Sequence, residues 1–220
     1  MGPFGPPQIQ WAPVRTTVIG ICGGSGSGKS TLARRLERSL GIANVAMIEF
    51  DSYYHDLSHL DPAERAMVNF DHPNALDVDQ FCADIATLAR GAPVDVPVYD
   101  FATHTRSNRS IPIEPRPVIV ADGILLLAFI QLVDLIDHAV FLDVPEDVRF
   151  ARRLARDVRE RGREPSAVKR QFEQSVRPMH DLYVQPSAAR ADQIIVDGPD
   201  PGTAAALVTR ALGPVAGALA

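Results

Sequence analysis

The chain has 220 residues, 46% of them hydrophobic and 22% charged, with a formal net charge of -5; this is the composition of a packed soluble protein and excludes bulk disorder. A negative balance argues against nucleic acid as the main partner, because such binding needs a basic face. Cys22 and Cys82 form neither a metal spacing nor a disulfide framework and are expected to be reduced and buried. No apolar run approaches the roughly 18 residues of a membrane span, and the start lacks the basic and apolar regions of a secretory signal, so a soluble cytoplasmic protein without a membrane partner is expected.

Residues 1–14, with four prolines and two glycines, read as a lead-in; one domain is expected over 15–212, followed by a tail at 213–220. The β-branched and apolar run from Thr16 to Cys22 predicts a buried strand. It enters Gly23-Gly24-Ser25-Gly26-Ser27-Gly28-Lys29-Ser30-Thr31, after which Leu32, Ala33, Leu36 and Leu40 share one helical face. Strand, glycine loop and helix form the setting in which G-x-x-x-x-G-K-[ST] denotes a phosphate cradle. Backbone N–H groups wrap the phosphates, the helix N-terminus adds positive potential, Lys29 neutralises the terminal phosphates and Ser30 can ligate Mg²⁺. The pattern predicts ATP-dependent phosphoryl transfer.

A second strand, Val45 to Phe50, is expected beside the first and ends in Asp51, at the sheet edge where ligands of such folds bind. Asp51 is the candidate base, orienting a hydroxyl and taking its proton late; its alternative is to cap the turn Ser52 to Tyr54. A long polar loop with one helical turn fills 52–75. Asp77 and Gln80 signal the next helix, buried through Val78, Phe81, Cys82, Ile85 and Leu88 and stopped by Gly91. Residues 93–115 alternate as a β-hairpin. The strand Val118 to Ala121 ends in Asp122, a Walker-B-like acid for Mg²⁺ or else a helix cap.

A helix is expected over 124–136, then a strand from Ala139 to Leu142. The helix Glu146 to Arg161 should turn Val148, Ala151, Leu154, Ala155 and Val158 inward. Its arginines at 149, 152, 153, 156, 159 and 161, with Arg163 beyond, would face a polyphosphate or form a solvated face beside Asp157 and Glu160. Gly162 supplies a hinge for a mobile basic lid over about 159–173. Another helix, a strand at Ile194 to Val196 and an alanine-rich helix follow. Strands apolar throughout and separated by helices predict a three-layer α/β sandwich on a parallel sheet, the P-loop NTPase fold, with a β-hairpin insertion and a basic lid.

Four segments carry a resemblance: FDSYY at 50–54, FDHPNALD at 70–77, PVYDFATHTR at 97–106 and RRLARDVRERGR at 152–163, extended by VRPMHDLYVQP at 176–186 and AD at 191–192. Together the chain from 16 to 197 resembles the uridine kinase family, the uridine-cytidine kinases. The resemblance implies that Asp51 activates a nucleoside 5′-hydroxyl and that Asp71 accepts hydrogen bonds from ribose. It further implies that Tyr99 and His104 read the pyrimidine beside Phe101, that Arg153 and Gln171 hold ribose, and that Arg156, Arg161 and Arg163 reach phosphates. It carries with it a homotetramer and pyrimidine salvage. Taken alone, Asp71-His72-Pro73 would be a polar turn, and Tyr99 and His104 ordinary hairpin residues. One departure stands out: the family pattern ends the strand before Gly123-Ile124-Leu125 in glutamate, where this chain has the shorter Asp122. The competing expectations are a P-loop kinase of pantothenate or phosphoribulose type, and a nucleotide-dependent accessory NTPase; the latter is disfavoured because the chain has no N-K-x-D guanine motif.

Overall fold

Residues 16–200 and 202–212 are described in the computed structural model; the lead-in at 1–14 and the tail at 213–220 lie outside them. In chain order the strands are β1 (Thr17–Gly23), β2 (Val45–Glu49), the hairpin β3 (Val94–Asp100) and β4 (Thr105–Ile113), β5 (Val118–Asp122), β6 (His138–Asp143) and β7 (Gln193–Val196). The helices are α1 (Lys29–Leu40), α2 (Pro62–Met67), α3 (Val78–Ala89), α4 (Ile130–Val133), α5 (Glu146–Arg161), α6 (Pro165–Gln171), α7 (Arg177–Met179), α8 (Gln185–Ser187) and α9 (Thr203–Leu212). π-Helical turns at Phe172–Val176 and His180–Val184 link α6, α7 and α8.

The main sheet is parallel throughout, in the order β2-β5-β1-β6-β7. Alternation along each strand sends side chains to opposite faces. Ile19, Ile21, Val120 and Val140 therefore join Leu32 and Leu36 of α1 and Leu207 of α9 in one core layer. Val18, Cys22, Ile119 and Phe141 join Phe81 and Ile85 of α3 in the other. Each fully buried leucine or isoleucine contributes roughly 1.5–3 kcal/mol, which is why apolar runs on both faces specify a covered sheet. The antiparallel hairpin β3/β4 stands apart as the expected insertion.

Four expectations change. β2 pairs with β5 and not with β1, so Asp51 follows a strand two places from the phosphate-loop strand, with Asp122 between them. The expected helix over 124–136 is replaced by a 3-10 turn at Leu126–Ala128 and the single-turn α4. Leu125, Leu126 and Leu127 are all at 0% exposure; three consecutive buried residues leave no solvent face, which an amphipathic helix requires. Cys22 is buried, but Cys82 is only half-buried.

The largest difference is in α5, whose most buried stripe is polar, although Val148, packed on the core, and Leu154 are half-buried as expected. Its buried residues are Arg149, Arg153 and Asp157, at 4%, 6% and 0% exposure, while Ala151 and Ala155 are exposed and Val158 is 39% exposed. Spacing by four puts those three polar residues on one stripe. That stripe packs on the glycine loop and the cleft, where polar partners wait, instead of on the apolar sheet. Gly162 ends α5 in the left-handed region at φ 61, and α6 begins three residues later at Pro165.

Candidate active site

The loop between β1 and α1 wraps tightly because glycine occupies its contacts. Gly26 has φ +83, and a Cβ there would lie 2.2 Å from the carbonyl oxygen of Arg149. Gly28 stands at the N-cap of α1 without a side-chain cap, so the first-turn N–H groups are available to an anion. Lys29 Nζ folds onto this loop, donating to the carbonyls of Gly23 at 2.9 Å and Gly24 at 3.1 Å. Burial lowers the Lys29 ammonium from its ordinary range, and Asp51 and Asp122 oppose that shift.

Ser30 Oγ donates to Asp122 Oδ2 at 3.1 Å. Asp122 is 5% exposed at the end of β5. Burial, reinforced by Glu49 across the β2/β5 register, pushes its carboxyl up to about 7, with Lys29 pulling it back. Glu49 had no role in the sequence reading, and only pairing with Asp122 brings it here. Among the described residues no three His, Cys, Asp or Glu side chains form a metal cluster. A hydroxyl and one carboxylate still suit Mg²⁺, which takes few protein oxygens and completes its shell with phosphate and water.

Asp51 sits in the 3-10 turn Phe50–Tyr53, and its Oδ1 is buried without a hydrogen-bond partner. It lines three cavities, two of which hold the candidate nucleoside and phosphate residues. One, of about 520 Å³, is lined by Asp51, Asp71, Tyr99, Phe101, His104, Arg153, Arg156, Arg161, Arg163 and Gln171, together with Ser25, Tyr54, Phe70 and Ile124. The other, of about 1340 Å³, runs along Gly26, Gly28, Lys29, Ser30 and Thr31 and also touches Asp51, Phe101, Arg156 and Arg161. The spaces thus meet at Asp51, Phe101, Arg156 and Arg161; the candidate site residues lie in the loop or along one of these cavities, except Asp122, which lines a third with Lys29, Ser30, Glu49 and Asp51.

The first cavity has an aromatic end. Tyr99 is 7% exposed with its hydroxyl buried and unpartnered, and it packs on Tyr54 at 5.2 Å and Phe101 at 5.2 Å. Burial raises its phenol above the ordinary range, so it remains a donor. His104 stacks on Phe70 at 4.4 Å and 13°. Burial, then the charges of Arg163 and Arg161, lower its imidazole below the usual value, leaving it neutral at pH 7. Tyr54 and Phe70 belong to the FDSYY and FDHP segments, yet only tertiary packing gives them this task.

The opposite wall is polar. Asp71, 6% exposed, accepts Ser175 Oγ at 3.1 Å, and burial raises its carboxyl while Arg153 opposes. Arg153 donates through Nη1 to Ser25 Oγ at 2.8 Å and through Nη2 to Gln171 Oε1 at 3.0 Å, the same oxygen that accepts Arg163 Nη1 at 3.0 Å. The Arg161 guanidinium lies 4.8 Å from the Phe101 ring centre, a cation–π distance. Arg156 binds Asp157 at 2.7 Å, and Arg153, Arg161 and Arg163 approach that carboxylate at 3.5–3.6 Å. Asp157, a partner of the arginines in the solvated-face alternative, is instead the buried hub of four of them. Such an arrangement can hold a polar, planar ligand at one end, a polyphosphate at the other, and a carboxylate where they meet.

A family model described as the Phosphoribulokinase / Uridine kinase family matches residues 18–204. Among curated relatives, a uridine kinase of Brevibacillus brevis is 45% identical over 181 residues, covering 82% of this chain and 85% of its own. A uridine kinase of Streptococcus equi subsp. zooepidemicus is 42% identical over 181 residues, covering 82% and 87%. Among solved structures, D-glycerate 3-kinase from Cryptococcus neoformans aligns with a TM-score of 0.60 at 16% identity over 83% of this chain and 87% of its own. Phosphoribulokinase from Rhodobacter spheroides aligns with a TM-score of 0.59 at 14% identity, covering 86% and 74%. At such identities the structural matches speak for the fold alone.

Proposed function

The chain belongs to the Phosphoribulokinase / Uridine kinase family, and from that premise we propose that it transfers the γ-phosphoryl group of ATP to the 5′-hydroxyl of uridine, and also of cytidine, as a cytoplasmic enzyme of pyrimidine salvage. The observation that carries the reading is the meeting, at Asp51 and Arg156, of the aromatic-ended cavity and the one that runs along the phosphate loop. Relatives at 42–45% identity named uridine kinase favour a nucleoside over pantothenate or phosphoribulose as acceptor, and over an accessory NTPase.

In this reading Asp51 orients the 5′-hydroxyl. As that oxygen bonds to the γ-phosphorus, the bond to the oxygen leaving with ADP breaks and the hydroxyl proton passes to Asp51, late in a loose transfer. The loop amides and Lys29 hold the terminal phosphates, while Arg156, Arg161 and Arg163 offset the charge that spreads over the moving group. Asp71, Arg153 and Gln171 fix ribose, and Tyr99, Phe101 and His104 read the pyrimidine. Ser30 and Asp122 would hold Mg²⁺, which supplies charge neutralisation and orientation of the phosphates. Closure of the arginine-bearing segment after Gly162 would exclude water. No helix among the described residues is long and apolar enough to cross a membrane. A homotetramer, implied by the resemblance, is checked by light scattering.

A coupled ADP-release assay with ATP and Mg²⁺ tests the function, with uridine, cytidine, adenosine, pantothenate and ribulose 5-phosphate offered separately. Release with uridine or cytidine alone is the expected result. Release driven by pantothenate or ribulose 5-phosphate would reassign the acceptor, and silence with ATP still bound would point to an accessory NTPase.

A further inference from the structure

Arg106, on β4 outside all three cavities, spends every arm of its guanidinium on other elements. Nε donates to the Tyr54 carbonyl at 2.7 Å, Nη2 to the Tyr53 carbonyl at 3.0 Å and Nη1 to Gln80 Oε1 at 2.8 Å, and Nη2 also reaches Asp77 Oδ2 at 3.5 Å. Its backbone N–H donates to Asp56 Oδ1 at 3.0 Å. The carbonyls belong to the turn that carries Asp51, and Gln80 and Asp77 to the start of α3. Tyr99 is the register partner of Arg106 across the hairpin.

Aromatic packing of Tyr99 and Phe101 on Tyr54 also joins the hairpin to the turn, but it supplies no directional bond. The β3/β4 register shifts between Pro97 and Tyr99, so the ladder is irregular where the base-reading end begins. The connection to the turn is also short of sheet contacts: one isolated bridge, Tyr54 to Leu76, ties the turn to the segment before α3. Asp77 N–H adds a bond to the Tyr53 carbonyl at 2.8 Å. The Arg106 side chain, 20% exposed, closes this junction with a planar fork. A lysine ammonium, although it has three N–H donors, lacks the planar fork that reaches acceptors on the turn and at the start of α3 together.

We propose that Arg106 is a positioning residue that locks the Tyr99 and His104 hairpin to the Asp51 turn, so that nucleoside recognition and hydroxyl activation share one rigid frame. The proposal rests on the nucleoside-kinase reading above. It extends that reading to a residue that touches neither substrate. A misplacement of the hairpin would then cost turnover as well as nucleoside binding, because reacting groups tolerate little displacement.

The test compares full-length wild type with Arg106→Lys, Arg106→Ala and the milder Gln80→Leu, which removes one acceptor and keeps the arginine. Both Arg106 variants should lose about tenfold or more in kcat/KM for uridine, with the KM for ATP within about twofold of wild type, and Gln80→Leu should shift in the same direction by less. Hydrogen exchange should quicken over residues 50–56 and 99–106 and stay unchanged over 23–31. Millimolar guanidinium should restore part of the activity of Arg106→Ala and none of the Lys variant's deficit. A lowered melting temperature with wild-type kcat/KM for uridine, a KM for ATP raised as much as that for uridine, or unchanged exchange in 50–56 would overturn the proposal. Wild-type enzyme inactive on every nucleoside would instead overturn the function, and the exchange data would still decide whether Arg106 clamps the two segments.

Discussion

Asp51 and Asp122 are both carboxylates at strand ends, and their surroundings divide the work between them. Asp51 lines its cavities with Oδ1 unpartnered, whereas Asp122 is sunk against Lys29 and takes the Ser30 hydroxyl. Replacing Asp51 with alanine should therefore reduce kcat by at least ~10²-fold, the lower end for losing a general base, with ATP binding retained. Turnover close to wild type would assign the proton to another group. Asp122→Asn keeps the shape and removes the charge. It should raise the Mg²⁺ concentration needed for tight nucleotide binding, read by calorimetry; an unchanged Mg²⁺ titration would remove Asp122 from the metal's surroundings. Asp122 is a methylene shorter than a glutamate would be, and Glu49, paired with it in register, joins Asp51 and Asp122 as a third carboxylate along the same cavity.

Helix α5 shows how an element can be right in span and partly wrong in facing. Its ends are legible from Pro145 and Gly162, but a hydrophobicity pattern assumes an apolar neighbour, and this helix lies on a phosphate loop and an arginine cluster. Asp157, at 0% exposure, offsets Arg153, Arg156, Arg161 and Arg163. Removing one partner of a buried ion pair typically costs about 3–5 kcal/mol, because the remaining charges are left uncompensated. Asp157→Asn should accordingly lower both stability and kcat, measured by denaturant melts and steady-state rates. Val158→Ser, on the outward face one residue away, should change stability by no more than about 0.5 kcal/mol. Comparable losses in the two variants would mean that the polar stripe is not the buried one.

At the scale of the whole molecule, buried titratable groups couple folding to pH. His180 is 7% exposed, with Nε2 against Gln185 Oε1 at 3.1 Å; burial, then the charge of Arg149, lowers its imidazole to about 4. Its ordinary value is 6.5, so between pH 6.5 and about 4 the unfolded chain binds a proton that the native one refuses. Stability from this group is thus complete above pH 6.5 and is lost as pH falls toward 4. Asp122 and Asp71, raised by burial, act in the opposite sense. The melting temperature of wild type should drop more steeply over that acid window than that of His180→Gln. Parallel curves for the two proteins would show that His180 protonates as easily in the native state as in the unfolded one.

The strands, the glycine loop and the cap of α3 by Asp77 are written locally: each follows from side-chain periodicity or from a turn only glycine makes easily, and Asp77 does accept the Gln80 N–H at 3.1 Å. The segments that line the candidate site stood out equally as motifs. What sequence could not decide was adjacency. Strand order placed β5 between β1 and β2, the buried leucines after Gly123 broke an expected helix, and packing on the phosphate loop turned the charged stripe of α5 inward. Tyr54, Phe70, Glu49 and Arg106 gained their neighbours in the same way. The physical reason is that burial and electrostatic pairing depend on what lies across the gap, and the chain states only what each residue can offer, while the fold decides which partner accepts it.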